Sequence, residues 1–319
     1  MSAEVVQDTQ RLEGAPVAYL EPAVRPSLAE SQAWCKALAE SHYENFHVAT
    51  QLLPKRLRPH FHAIYAYCRV SDDLGDEVAD RSVATRLLDT WGAMLDECYS
   101  SPAESRHPVF VALQPSVTAC NLPKQPFANL LRAFRDDQVK TRFADLGEVI
   151  EYSRYSANPV GSLVLYTCGY RQPELHTLSD YTCTALQLAN HWQDVGEDLK
   201  ERDRIYVPTD RLTRHGLTED DLRSGKEAER YCAMMRELVG ETRAMLLLGA
   251  PLIDRVDRDL AATLRLFTEG GLAILHAIED IGYNTLSRRP EVSKAVKVRL
   301  LLSAAVGKMG LHRGSKGLQ

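Results

Sequence analysis

The chain has 319 residues, of which 45% are hydrophobic and 25% charged, and its formal net charge is −5. The hydrophobic fraction is too high for a disordered protein, and the acidic surplus gives no reason to expect a nucleic-acid partner. Aromatic residues make up only 7%, and β-branched residues are sparse beside Leu and Ala. This composition favours helices over strands.

Helical periodicity follows an unpatterned, polar N-terminal segment. Residues 1–26 are predicted to form a flexible tail, and Ser27 with Glu30 predicts a capping box that opens the first helix. Further helices are predicted at about 60–80, 82–99, 124–139, 145–169, 179–201, 219–248, 252–282 and 292–308. Breaks are expected at 169–173, at 208–216, and at Pro102, Pro108, Pro115 and Pro123. We therefore predict one all-α domain over residues 27–308, built as a helical bundle, and a polar tail at 309–319.

The cysteine pattern and the N-terminus bear on the compartment. The seven cysteines stand singly and form no Cys-x-x-Cys pair, which is typical of reduced thiols rather than of a zinc site. The first residues contain early acids and no apolar run, so they do not resemble a secretory signal. The longest strongly apolar stretch, 244–253, is about half the roughly 20 residues that a membrane span needs. We expect a cytoplasmic protein without a transmembrane helix.

The predicted helix at 60–80 has a polar stripe that ends in two aspartates. Tyr65, Arg69, Asp72 and Asp76 lie at offsets 0, 4, 7 and 11, which places them on one narrow face. The opposite face is apolar and consists of Ala63, Tyr67, Val70, Leu74 and Val78.

The predicted helix at 179–201 repeats this design with Gln187, Asn190, Asp194 and Asp198. Its apolar stripe consists of Ala185, Leu188, Trp192, Val195 and Leu199. A charged stripe on either helix alone is most often a solvent face. However, aspartates at i, i+4 repel each other, and the repeated pair favours a compensating cation. Since neither stripe contains His or Cys, the oxygen ligands suit Mg²⁺, and facing helices could clamp an Mg²⁺-bound diphosphate between them.

The two acidic segments give the chain a family resemblance. The blocks AIYAYCRVSDDLGDE (63–77) and QLANHWQDVGED (187–198), the LLP at 52–54 and the RIYVP at 204–208 occur in order. In these motifs the chain resembles the squalene/phytoene synthase family, the head-to-head isoprenyl diphosphate synthases. The resemblance implies an isoprenoid synthase-type all-α fold around a central cavity, with a prenyl diphosphate substrate. It also implies two or three Mg²⁺ ions that bridge the aspartates and the diphosphate.

The resemblance assigns roles to positions of this chain. The implied metal ligands are Asp72, Asp76, Asn190, Asp194 and Asp198, and the four aspartates are counted as catalytic together with Tyr65 and Tyr152. The implied substrate-binding residues are Asn45, Phe46, Arg69, Ala157, Val160, Gly161, Gln187, Asn190, Arg204 and Tyr206. Tyr152, Ala157, Val160 and Gly161 belong to a helix whose small residues let prenyl chains pass. Pro159 is expected to kink that helix, because it lacks a backbone donor.

Two departures from the family pattern bear on which branch of the family the chain resembles. Gln193 stands where most members have Arg, and Glu44, Asn45 and Phe46 replace a basic residue followed by Ser-Phe. Loss of these cations is expected to weaken a second diphosphate site. The runs ENF, ANPVG and NHWQD resemble the bacterial hydroxysqualene synthase branch of hopanoid and squalene biosynthesis, which acts on presqualene diphosphate. That branch implies diphosphate loss and capture by water, with no NADPH.

Other activities remain open from the sequence. A full synthase would condense two farnesyl diphosphates to squalene, dehydrosqualene or presqualene diphosphate, and an inactive relative would serve as a scaffold. His191 is expected to be a packing residue, and Arg288 and Arg289 to be solvated. The basic, partly apolar C-terminal stretch is predicted to be a plain terminal helix or, alternatively, a peripheral membrane contact. The oligomeric state is left open.

Overall fold

The computed structural model describes residues 24–41, 50 and 52–309, and within them it contains helices and no strand. The first seven α-helices are α1 (Leu28–Ser41), α2 (Arg58–Asp76), α3 (Arg81–Ser100), α4 (Pro108–Cys120), α5 (Gln125–Asp136), α6 (Leu146–Ser156) and α7 (Asn158–Thr167). They are followed by α8 (Pro173–Glu197), α9 (Thr209–Arg214), α10 (Glu219–Ser224), α11 (Ala228–Gly249), α12 (Arg258–Asp280) and α13 (Lys294–Met309). A π-helical turn, Asp198–Arg202, extends α8, and a 3₁₀ turn, Ala250–Arg255, follows α11. The all-α prediction is confirmed.

The predicted helix boundaries are correct where a local signal sets them. The amide of Ser27 donates to Glu30 Oε2 at 2.8 Å and the amide of Glu30 donates to Ser27 Oγ at 3.3 Å, so the predicted capping box is present. The kink expected at Pro159 is a complete break between α6 and α7. Pro159 is the second residue of α7, where no intrahelical donor is required.

Several other boundaries were predicted wrongly. Helix α8 starts at Pro173 rather than at 179, and the predicted helices 219–248 and 252–282 are each divided by a break. Helix α4 was missed, since Pro108 and Pro115 were interpreted as breaks. Pro108 instead occupies the first turn of α4, after His107, whose Nδ1 caps the amide of Val109 at 3.2 Å. Five successive residues, 109–113, are buried, so packing keeps α4 helical in spite of Pro115.

Three large clusters of buried side chains hold the described helices together, and a small fourth cluster surrounds Leu266. The first surrounds Tyr67 and Trp91 and packs α1 to α5, whereas the second surrounds Trp192 and packs α6, α8, α11 and α12. The third connects α2, α7, α8 and α12 through Phe61, Leu165, Leu175 and Leu264. The two helices with the acidic stripes, α2 and α8, therefore pack mainly in different clusters and meet in the third. Both of the predicted apolar stripes are buried.

Candidate active site

Helix α2 carries its aspartates beside an arginine. Arg69 lies 2.5 Å from Asp73 Oδ1 and 3.7 Å from Asp72 Oδ2. Asp73 is buried, whereas the side chain of Asp72 is 45% exposed. Tyr65, one turn earlier, is buried. The stripe predicted from the sequence is thus present, but Asp73, which was not predicted to belong to it, holds the guanidinium group of Arg69 in place.

The second aspartate motif continues from α8 into the π-helical turn. Asp194 is in the last turn of α8, and Asp198 begins the π turn. Burial and, less strongly, the charges of Asp194 and Asp76 together raise the pKa of the Asp198 carboxyl to about 7, in spite of Arg202 and Arg204. Arg202, at the end of the turn, lies 3.5 Å from Asp76 Oδ2 and 3.7 Å from Asp198 Oδ1. This arginine therefore joins the two motifs, which are far apart in sequence.

Arg204 extends this network from the aspartate motifs, which form the mouth of the site, to Asp137. It is 9% exposed, and its guanidinium lies 2.9 Å from Asp76 Oδ1. Burial disfavours its charge, but Asp76, Tyr206 and Asp137 together outweigh that effect and raise the pKa of Arg204 above its ordinary value. The same guanidinium donates to the backbone oxygen of Asp137 at 3.4 Å. The side chain of Asp137 in turn accepts a 2.8 Å hydrogen bond from the hydroxyl of Tyr152.

Asp137 is a residue that the sequence interpretation missed. It is 5% exposed, and burial raises the pKa of its carboxyl to about 7 in spite of Arg204 and the hydrogen bond from Tyr152. Its sequence neighbours, Asp136 and Gln138, are polar, so nothing local marks it as buried. The contact with Tyr152 comes from the packing of α6 against the end of α5.

An aromatic stack lies next to this buried carboxyl. The rings of His191 and Tyr206 are stacked at 3.6 Å between centroids, and Tyr152 lies 5.7 Å from Tyr206. Burial and, less strongly, Arg204 lower the pKa of His191 to about 3, so its ring is neutral near pH 7. The prediction that His191 is a packing residue is confirmed. Tyr206 is buried in the same stack.

The loop after α12 brings another arginine to the site. Arg289 is exposed, as expected, but it also lies 2.6 Å from Asp194 Oδ1 and 3.2 Å from Glu197 Oε2, two ion pairs that the sequence did not predict. Gln193, which stands in place of the usual arginine, donates to the backbone oxygen of Pro290 at 2.7 Å and anchors the same loop. Because Arg289 supplies a cation beside Asp194, the expected lack of positive charge there is not observed.

An apolar pocket opens next to the second motif, with a volume of about 210 Å³. Ala157, Val160 and Gly161 line it, as the resemblance implied, together with residues such as Leu264 and Phe267. Gln187 and Asn190, which were expected at the diphosphate and the metal, also line it. A Cβ atom on Gly161 would overlap Ser179 Oγ and lie 2.6 Å from Cys183 Sγ, so α7 and α8 approach closely there. Asn45 and Phe46 lie outside the described residues.

The donor set at the mouth fits a hard cation. All of the predicted ligands are carboxylate or amide oxygens, and Mg²⁺ usually takes one or two carboxylates together with water and phosphate oxygens. The pKa of Asp198 is raised chiefly by burial and, less strongly, by the negative charge of Asp194 and Asp76, so a cation at this position would favour its ionised form. Nevertheless, the residues that the structure describes contain no preassembled group of three or more His, Cys, Asp or Glu side chains suited to a metal.

Comparison with known proteins agrees with this geometry. The model of the squalene/phytoene synthase family matches residues 18–296. The chain belongs to this family. Among its members, a hydroxysqualene synthase from Rhodopseudomonas palustris is 31% identical over 80% of this chain and 84% of that protein. Phytoene synthase 2 from Oryza sativa is 30% identical over 89% of this chain and 73% of that protein.

A solved structure supports the fold assignment. The squalene synthase HpnC from Alicyclobacillus acidocaldarius superposes with a TM-score of 0.75 and 40% identity, over 85% of this chain and 97% of that one. The isoprenoid synthase-type helical fold is therefore confirmed, and the chain is a member of a family that processes prenyl diphosphates.

Proposed function

We propose that this family member converts presqualene diphosphate to hydroxysqualene and releases diphosphate. The observation that supports it most is the arrangement of the two aspartate motifs, joined by Arg202, beside an apolar pocket. The choice of reaction within the family rests on similarity to hydroxysqualene synthases, at 31% and 32% identity. It does not rest on a shortage of cations, because Arg289 lies beside Asp194.

The charged mouth would bind the diphosphate of the substrate. Asp72, Asp76, Asn190, Asp194 and Asp198 are the proposed ligands of two or three Mg²⁺ ions. When bound, these ions would neutralise phosphate charge and make the diphosphate a better leaving group. Four arginines of the mouth would contribute to the same end by direct contact with phosphate oxygens, namely Arg69, Arg202, Arg204 and Arg289.

The pocket would then control the fate of the carbon skeleton. When the carbon–oxygen bond breaks, its electron pair leaves with the diphosphate, and a cyclopropylcarbinyl cation remains. Apolar side chains such as Val160 and Phe267 exclude bulk water from it. Gln187 and Asn190 place amide groups at the wall of this pocket, where they could hold one water molecule. The cation rearranges as a carbon–carbon bond of the cyclopropane ring breaks, and attack by that water with loss of its proton to the diphosphate gives hydroxysqualene. The balance requires no NADPH.

The proposal is tested by comparing substrates and variants. With Mg²⁺, the purified protein is expected to turn presqualene diphosphate into hydroxysqualene, and Asp194→Asn to lower turnover about 100-fold or more while the fold is kept. Asp96→Asn, which changes a surface aspartate of α3 paired with Lys124, serves as the matched control and should retain activity. Efficient conversion of farnesyl diphosphate alone to a thirty-carbon product would instead show a full synthase. Normal turnover by Asp194→Asn would refute the proposal that the two aspartate motifs hold Mg²⁺ and the diphosphate. No turnover of either substrate would favour an inactive relative that serves as a scaffold.

A further inference from the structure

Helix α13 covers the outside of the wall that contains the apolar pocket. Its Leu300 packs in a small cluster with Leu266 and Phe267 of α12, and Phe267 also lines the pocket. Val296, one turn before Leu300, is likewise half-buried. These two residues define the inner face of α13, which packs on α12, the helix that also contributes Leu264 and Phe267 to the wall of the pocket.

The outer face of α13 is apolar and exposed. Ala295, Val298 and Leu302 are spaced i, i+3, i+7, which places them on one stripe, and all three are exposed. Val298 is 54% and Leu302 61% exposed, which is unusual for residues of their type. In the sequence, Ala305 and Met309 continue the same spacing. Helix α13 thus has a second apolar stripe, directed away from the protein.

Basic residues flank this outer stripe. At 100° per residue, Lys294 and Lys297 fall on one side of it and Arg299 on the other, and all three are exposed. Residues 291–319 contain Glu291 as their single acidic residue, whereas the whole chain has a net charge of −5. The basic residues of that range are Lys294, Lys297, Arg299, Lys308, Arg313 and Lys316.

We propose that the outer face of α13 binds the surface of an anionic lipid bilayer. An apolar stripe flanked by Lys and Arg is the pattern of helices that lie in the membrane interface, with the basic groups near lipid phosphates. No helix among the described residues is long and apolar enough to cross a membrane, so α13 would lie on the bilayer rather than span it. A second copy of the chain fits less well, because two such basic faces would repel each other.

Binding at this face would place the apolar pocket close to the lipid. Phe267 would lie close to the bilayer surface, because Phe267 of α12 and Leu300 of α13 both pack against Leu266. If the proposed function holds, an insoluble substrate and product would have a short route between bilayer and pocket. The binding itself does not depend on that function and can be measured without turnover.

Vesicle flotation of the full chain tests the proposal. The wild-type protein is expected to float with vesicles of phosphatidylcholine mixed with phosphatidylglycerol, to dissociate as salt is raised, and not to float with phosphatidylcholine alone. Val298→Glu combined with Leu302→Glu should lower vesicle binding more than tenfold, about the effect of losing two buried apolar side chains. Lys294→Gln and Lys297→Gln should each weaken it about fivefold.

A matched control distinguishes binding by this face from nonspecific binding through any exposed apolar residue. Leu248, on α11, is 56% exposed, so Leu248→Glu introduces a glutamate at a leucine about as exposed as Leu302, and this variant should float as the wild type does. Circular dichroism establishes that each variant is folded. Unchanged flotation of the Val298/Leu302 variant, equal loss in the Leu248 variant, or equal binding to neutral vesicles would overturn the proposal. So would a wild-type dimer that does not float and that the Val298/Leu302 substitutions dissociate.

Discussion

Replacing Asp137 with Asn should stabilise the protein, and the gain should increase with pH. Asp137 is 5% exposed and accepts a hydrogen bond from the hydroxyl of Tyr152 at 2.8 Å. The amide oxygen of Asn can accept the same bond, so the substitution removes a buried charge and keeps the acceptor. The variant therefore isolates the effect of the carboxylate charge on stability.

The magnitude follows from the raised pKa of Asp137. Burial raises this pKa from 3.8 to about 7, so the folded state favours the protonated carboxyl. The stabilisation that protonation provides is fully present below about pH 4 and is lost as the pH rises through about 7. Relative to a chain whose Asp137 stays protonated, and at about 1.36 kcal/mol per pKa unit, the free energy of unfolding is lower by about 2 kcal/mol at pH 5, where only the unfolded chain is ionised. It is lower by about 4 kcal/mol at pH 8. Asn has no such loss.

Urea unfolding of wild type and variant between pH 5 and pH 8 measures this difference. The variant is expected to be more stable, by a margin that about doubles across the range. Asp136→Asn is the matched control, because Asp136 is the neighbouring residue and its side chain, 47% exposed, lies 3.5 Å from Arg132. Its effect should stay within about 0.5 kcal/mol. A margin for Asp137→Asn that does not change with pH, or a less stable variant at pH 8, would refute the reasoning.

Three further predictions concern the pocket, the mouth and the metal. Gly161→Ala should lower the free energy of unfolding by about 1–3 kcal/mol, because its Cβ would meet Ser179 and Cys183. Gly240→Ala, in open space on α11, should instead stabilise by about 0.5–1 kcal/mol in the same urea titration. Arg289→Gln should raise KM about tenfold in steady-state kinetics, whereas Arg288→Gln should change it little; equal effects would contradict a role for the ion pair with Asp194. Chelation of divalent ions should abolish turnover and added Mg²⁺ restore it, and turnover that survives chelation would exclude the proposed metal.

The parts of the fold that could be predicted depend on local patterns. The capping box at Ser27 involves neighbours in sequence, and the apolar stripes of α2 and α8 follow from helical periodicity, so each was identified without tertiary information. Helix α4 could not be identified in this way. Two prolines indicated breaks, and only its burial among α1, α2 and α3 shows why the helix persists.

The parts of the site that were missed depend on tertiary contacts. Arg289 reaches Asp194 from a loop that follows α12, and no spacing within either segment predicts that contact. Asp137 stands in a polar run, and its burial depends on how α6 packs against α5. By contrast, the pocket residues Val160 and Gln187 came from the family resemblance, which carries tertiary information that periodicity lacks.

Turnover in water enriched in the heavy oxygen isotope tests the central claim most directly. The purified protein is given presqualene diphosphate and Mg²⁺ in labelled water, and the organic product is analysed by mass spectrometry. If diphosphate leaves and water captures the cation, the product is a thirty-carbon alcohol that carries the heavy isotope. A hydrocarbon product, or an alcohol whose oxygen is unlabelled and therefore derives from the diphosphate, would contradict the proposed reaction.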